Sequence, residues 1–352
     1  MTHQPARASL ALACSARSAL GTFIAVAVCL AACRQTSKSS DCVPGPQARC
    51  AHADLSGADL RQADLRGADL RQAQLLGVQL DKADLSGARL TGSVLTGADL
   101  EQAKLVGAQL QRVDCAGCDV ESADLRGADL AGANFDGADL ESANLAHAQL
   151  QRTRLRGADL ESADLQHARA EGADLDGANL GRARLSAARL DRARLRAANL
   201  SSARLERTSL VGADLRQALL GIRADALAGS TATPSGPCQP LPGCGPEAPA
   251  MAGDDAGVGA LLVETDLGGA DLRRADLRGV VMLRGSLREA RLEGADTRGA
   301  RWLDVMVERT VCPDGHRRSS VCPDLVVPAS GSDRAKALAR VAWLRSLPWP
   351  WD

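Results

Sequence analysis

The residues equipped for chemistry are few, and they come in pairs. His147 and His167 stand twenty positions apart in matching contexts, Leu-Ala-His-Ala and Leu-Gln-His-Ala. Two imidazoles brought side by side have ring nitrogens able to hold a metal; duplication of a surface residue would leave the same spacing with no chemistry in it. Cys115 and Cys118 have the Cys-x-x-Cys spacing of a zinc site or of a local disulfide. His316 lies between Cys312 and Cys322. With five His in 352 residues and no legible Ser/His/Asp pattern or phosphate-cradling glycine loop, the chain reads as a non-enzyme without a cofactor. Lys plus Arg is 42 against 43 Asp plus Glu, so the electrostatic case for nucleic-acid binding is missing.

The rest of the chain is built to position side chains. From Leu55 to Leu220 every fifth residue is apolar, and it is Leu except at Cys115, Val120, Phe135 and Ala170. Two residues before each stands a small residue, nearly always Ala, as in Ala58-Asp59-Leu60. A period of five fits neither regular element. On an α-helix residues five apart diverge by about 140°, and on a strand an odd period sends alternate Leu to opposite faces. The chain must therefore turn at about every repeat, with Leu and its Ala partner inside a coil.

A second period closes the coil. Glu-Ser-Ala-Asp/Asn-Leu recurs at Glu121, Glu141 and Glu161. Twenty residues, or four repeats, make one turn of a four-sided solenoid. Over residues 53–220 the chain resembles the pentapeptide-repeat family. The resemblance implies an all-β solenoid, a right-handed quadrilateral β-helix, stabilised by stacking of neighbouring coils. At about 4.8 Å per coil this block is a rod roughly 40 Å long. Thr153, Thr208 and Val113 depart mildly from the small inward residue.

Residues 221–262 interrupt the pattern with Gly, Pro and Ala and read as a loop or linker. Over 263–312 the pattern resumes at Leu267 and runs through Leu272, Leu277, Met282, Leu287, Leu292, Thr297, Trp302, Val307 and Cys312. The 47 residues from Leu220 to Leu267 are not a multiple of five, so the register is reset. Ten repeats are too few to stand alone; the second block is expected to stack on the first, with a separate second domain as the alternative. Residues 313–352 complete the chain with a disulfide loop and a short α-helix from about Asp333 to Ser346, capped by Ser332 and stopped by Pro348. Ala337, Val341 and Leu344 share one face of it and would cover the open edge of the last coil. The family resemblance implies such a helix, which in some members forms a dimer contact. Trp349 and Trp351 fit a cap, a partner contact or a membrane-surface anchor.

Residues 1–32 form an export signal. Ala19 to Ala32 is uncharged and mostly apolar, too short to cross about 30 Å of hydrocarbon and of signal-peptide length. It ends in Leu30-Ala31-Ala32-Cys33, which resembles the lipobox of bacterial lipoproteins. That resemblance implies cleavage before Cys33 and its acylation, with residues 33–52 as tether and N-terminal cap. Two or more acyl chains would anchor the protein stably. The expected address is the bacterial envelope, on the outer membrane in a Gram-negative cell.

Export permits disulfides. Apart from Cys33, the cysteines of the mature chain fall into four local pairs: Cys42 with Cys50, Cys115 with Cys118, Cys238 with Cys244, and Cys312 with Cys322. The shared Val-Cys-Pro-Asp context of the last pair resembles a closing pattern of some extracellular pentapeptide-repeat proteins.

Charge is segregated along the solenoid. Twenty residues per coil places Asp99, Glu101, Asp119, Glu121, Asp139, Glu141, Asp159 and Glu161 on one wall. Residues 181–207 then carry eight Arg. Repeat duplication explains such a wall without function; binding a basic partner or cations explains it with one. The reading is a lipid-anchored scaffold for an unidentified envelope protein. The alternative is a nucleic-acid mimic acting on a topoisomerase, as in cytoplasmic members that bind DNA gyrase, from which this chain departs in its export signal and near-neutral charge.

Overall fold

The computed structural model describes residues 42–221, 260–318 and 322. Within them the chain winds through parallel coils in which each residue before an inward Leu bridges the residue twenty positions on, from Arg49↔Asp69 to Asn199↔Leu219. The bridges are single residues because the chain turns before a longer strand can form. In the first turn of the block Ala58 N–H donates to Leu55 O at 3.0 Å. Its third residue, Gly57, has φ +67°, a left-handed value that Gly adopts without steric cost. The backbone is satisfied between coils: Leu55 N–H donates to Gln74 O at 2.8 Å, and Gln74 N–H to Ala53 O at 2.8 Å.

Leu and Ala fill the bore. Leu75, Leu80, Leu85 and Leu90 have no exposed surface, nor do Ala73, Ala83 and Ala88. A fully buried Leu contributes about 1.5–3 kcal/mol, so each coil is held by four such side chains and one ring of interstrand bonds. Larger residues at the small position are accommodated by local hydrogen bonds. Thr153 Oγ1 donates to Leu130 O at 2.8 Å and Thr208 Oγ1 to Leu185 O at 2.7 Å, each reaching a carbonyl of the preceding coil.

The coil begins one repeat earlier than residue 53. Cys50 takes an inward Leu position at 1 % exposure, Arg49 bridges Asp69, and a disulfide joins Cys50 to Cys42 with Cα atoms 4.9 Å apart. The cysteine side chain substitutes for Leu there, which the Leu period alone does not reveal.

Nor is the register reset at the interruption. Arg204 bridges Leu261, Ser209 bridges Asp266, Asp214 bridges Asp271 and Leu219 bridges Asp276. All four walls continue, with an offset of 57 residues in place of 20. Ala260 N–H donates to Leu220 O at 2.7 Å, the bond that Ala203 makes to Leu200 one coil earlier. The segment between Leu220 and Ala260 therefore replaces one two-residue turn. The second block starts at Ala260, inside the stretch read as loop from sequence, because Leu262 is itself an inward repeat residue. Gly221 marks the exit. A Cβ there would meet Asp276 Oδ1 at 2.5 Å and the Arg278 backbone at 2.9–3.0 Å.

Three short strands, β1 (Leu261–Val263), β2 (Val281–Leu283) and β3 (Arg301–Leu303), stack in parallel on one wall of the second block. Their central residues Leu262, Met282 and Trp302 join the bore, while Leu261, Val263, Val281, Leu283 and Leu303 form a separate buried cluster. An antiparallel hairpin of β4 (Thr310–Val311) and β5 (Arg317–Arg318) follows, and a disulfide links Cys312 to Cys322. No helix occurs among the described residues. The expected helix at 333–346, Trp349 and Trp351, the expected export signal with Cys33, and Cys238 and Cys244 lie outside them.

Leu140, at 1 % exposure, tests the packing. Leu140→Arg buries a charge without a partner and should cost several kcal/mol. Arg126→Ala removes only an exposed ion pair with Asp124 and should cost about 1 kcal/mol or less. Thermal melts of the two variants should differ accordingly; equal losses would mean that Leu140 does not hold the coil.

Candidate functional site

The acidic residues read from sequence come together on consecutive coils. Asp99, Asp119, Asp139 and Asp159 bridge one another in series. Each Asp Oδ1 accepts the backbone N–H of the Glu two residues later, at 3.1 Å for Glu101 and Glu121 and 2.9 Å for Glu141 and Glu161. The aspartates thus shape the turn. The glutamates follow at the corner, and the backbone stacks them: Gln102 N–H donates to Glu121 O, Ser122 N–H to Glu141 O, and Ser142 N–H to Glu161 O, all at 2.9 Å.

Their side chains have no such structural task. Among the described residues no cation lies within ion-pair distance of Glu101, Glu121 or Glu141. Glu101 Oε1 accepts from Gln102 Nε2 at 2.8 Å, and Glu161 Oε2 from Asn179 Nδ2 at 3.1 Å, where the acid column ends. Partial loss of hydration, then the charges of Asp139, Asp119 and Glu101, push the Glu121 carboxyl above its ordinary value. Glu141 is raised in the same way, by lost hydration first and then by Asp159, Glu121, Glu161 and Asp139. Like charges one strand apart repel, and among the described residues no cation pairs with Glu101, Glu121 or Glu141 to offset them.

Elsewhere an Asp and the Arg two residues on make a compact clamp that the sequence reading missed. Asp64 accepts Arg66 Nε at 2.8 Å and Nη2 at 2.6 Å; the guanidinium holds that carboxyl down at about 2. The same unit recurs at Asp69–Arg71, Asp124–Arg126, Asp214–Arg216, Asp271–Arg273, Asp276–Arg278 and Asp296–Arg298. Its signal is the string Asp-x-Arg, with Leu between except at Asp296-Thr297-Arg298, where the tight turn brings positions i and i+2 together.

His147 and His167 are exposed and stack with ring centroids 4.8 Å apart and planes within 3°. Parallel rings cannot both aim in-plane nitrogen lone pairs at one ion, so this arrangement is a stacked surface pair. Cys115 and Cys118, both at 1 % exposure, are joined as a disulfide inside the bore. Among the described residues no group of three or more His, Cys, Asp or Glu is placed to hold a metal ion.

The sequence profile described as "Pentapeptide repeats" matches eight copies, covering residues 48–217 and 258–296. The chain belongs to the pentapeptide-repeat family. Membership implies the right-handed sense of winding expected from the sequence. Comparison with curated proteins found no match. Among solved structures, this pentapeptide-repeat protein is similar to HetL of the cyanobacterium Nostoc sp. strain PCC 7120, described as involved in heterocyst differentiation regulation. Identity is 29 % over 77 % of this chain and 94 % of HetL, with a TM-score of 0.47. It is also similar to a trypsin-treated form of QnrB1, a plasmid-mediated fluoroquinolone resistance protein, at 16 % identity over 83 % and 98 % of the two chains and a TM-score of 0.29. A pentapeptide-repeat protein of the Arabidopsis thaliana thylakoid lumen shares 26 % identity over 38 % and 74 %, with a TM-score of 0.17.

The raised carboxyls set a pH dependence. Glu121 and Glu141 bind protons more tightly folded than unfolded, so their contribution favours folding below their ordinary value of 4.5 and is lost as pH rises through the higher folded value. Asp64 runs the other way: its stabilisation is present above its unfolded value and lost as pH falls through about 2. That part is common to parent and variant. The double change Glu121→Gln and Glu141→Gln should therefore match the parent in thermal melts at pH 4 and exceed it at pH 7, by about 1 kcal/mol or less for exposed charges. A gap that is constant with pH would contradict mutual repulsion.

Proposed function

We infer that this pentapeptide-repeat protein is a lipid-anchored, extracytoplasmic scaffold whose acidic corner docks a basic segment of an envelope protein. The observation that carries the reading is the column Glu101, Glu121, Glu141 and Glu161. The Asp beside each Glu already serves the turn, so the Glu charge is surplus to the fold and raises the energy of the free protein. A partner presenting Arg or Lys at the spacing of the coils relieves that repulsion on binding. The family supports a binding role over catalysis, and the disulfides Cys42–Cys50, Cys115–Cys118 and Cys312–Cys322 suit an oxidising compartment. The Leu30-Ala31-Ala32-Cys33 signal supports the anchor, and the tail supplies a route to a homodimer. A nucleic-acid mimic needs acid along most of its length, whereas the coils beyond Glu161 are rich in Arg.

The test is affinity capture from detergent-solubilised envelope, combined with labelling by a fatty-acid analogue. The parent should carry the label and retain a basic partner. Cys33→Ser should lose the label and release soluble protein. Changing Glu101, Glu121, Glu141 and Glu161 to Gln should keep the label, lose the partner and weaken the salt dependence of capture. Equal labelling of the Ser variant would remove the anchor from this account; unchanged capture by the Gln variant would remove the acidic corner.

A further inference from the structure

Where the second block joins the first, a different corner of the solenoid carries a cluster of opposite sign. An open groove of about 560 Å3 there is lined by Arg196, Arg216, Arg273, Arg274 and Arg291, with one carboxylate, Glu293. The arginines come from four successive coils. The offset of 57 residues across the insertion places Arg273 one coil above Arg216, since Asp214 bridges Asp271 and Asp271 bridges Arg291.

Most of these guanidiniums are held from behind. Asp214 takes Arg216 Nη2 at 2.7 Å and Arg196 Nε at 2.5 Å, and Asp271 takes Arg273 Nη2 at 2.7 Å. A guanidinium has five N–H donors in a rigid fork. Clamping one edge fixes its direction and leaves the other edge to donate, which lowers the entropy lost when an anion binds. Arg274 is exposed and has no ion-pair partner among the described residues, so the groove keeps a cation that the fold does not use.

Glu293 adds an acceptor. Arg291 Nη2 holds its Oε1 at 2.7 Å, while Oε2 is buried against the coil with no hydrogen-bond partner, an unmet acceptor. Swinging the whole side chain outward, which also frees Arg291 for the anion, would bring that oxygen to a donor in the groove. A ligand matching both features carries an anionic group for Arg216, Arg273 and Arg274, and a hydroxyl for Glu293. The volume lies within the range of small-molecule sites. No aromatic side chain lines the groove to stack a nucleobase, which turns the choice from nucleotides toward sugars.

We propose that this groove binds a phosphorylated saccharide, with the phosphate on the arginine cluster and a ring hydroxyl on Glu293. The site is separate from the acidic corner and does not depend on it.

The experiment uses the full-length protein in detergent micelles. Titration calorimetry with glucose 1-phosphate forms the soluble arm, with inorganic phosphate and glucose as controls. Co-sedimentation with phosphatidylcholine vesicles, with and without a phosphorylated glycolipid, forms the membrane arm. The phosphorylated sugar should bind about tenfold or more tightly than either control in at least one arm, the difference that one charge-assisted hydrogen bond supplies. Binding in the soluble arm identifies a free sugar phosphate; binding in the vesicle arm alone identifies a lipid headgroup. Arg274→Ala should weaken binding about tenfold, and Glu293→Gln should erase the preference for the sugar over inorganic phosphate while Arg274 still holds the anion. Thermal melts of Arg274→Ala should match the parent, because Arg274 is exposed and unpaired among the described residues, while Glu293→Gln weakens the pair with Arg291 and should melt only slightly lower. Absence of binding in both arms, equal affinity for inorganic phosphate, or binding unchanged in Arg274→Ala would overturn the proposal.

Discussion

One constraint governs the molecule: the chain must return to the same wall every twenty residues so that each Leu N–H meets a carbonyl of the next coil. Leu80 N–H to Asp99 O and Leu100 N–H to Asp119 O, both at 2.7 Å, are two rungs of that ladder. The bore takes one large apolar side chain, usually Leu, and one small partner at each turn. Backbone pairing and core packing therefore demand the same period, and a residue that breaks one breaks the other. This is why Thr153 and Thr208 survive at the small position. Each hydroxyl finds a carbonyl of the coil below and leaves no polar group unpaired.

The same constraint frees the outside of the coil. Outward side chains lie on fixed columns one strand spacing apart, so charge arrangement becomes a separate variable from stability. Along the Glu101–Glu161 column the outcome is repulsion. Around Asp214 and Asp271 it is a lattice of clamped arginines. An acidic corner and a basic groove can coexist on a chain whose formal net charge is only −1, because what a partner meets is the column and not the sum. The insertion after Gly221 respects the ladder as well. It takes the place of one turn, leaves Ala260 bonded to Leu220 and lets all four walls run on.

Much of this was legible in the residues. The five-residue Leu period and the twenty-residue echo of Glu121, Glu141 and Glu161 place the bore and the acidic corner before any coordinates are considered. The phase of the second block was not legible, because an insertion of arbitrary length hides which wall receives Leu262. That in turn hid the groove, since Arg216 and Arg273 become neighbours only through the 57-residue offset. Cys50 was missed as an inward residue because its side chain serves both a disulfide and the bore. The clamps were missed because residues two apart point to different sides of a helix and, though they share a face of a straight strand, stand about 6.6 Å apart there; the turn draws them together.

Removing residues 222–258 tests the central claim most directly. It joins Gly221 to Gly259 and restores a two-residue turn between Leu220 and Ala260, so the twenty-residue period runs unbroken. Calorimetric unfolding should then show one cooperative transition that includes both blocks, at a temperature no lower than the parent's, because a long connection is replaced by a short one. Separate transitions for the two blocks, or loss of the second block's structure, would contradict a single continuous ladder.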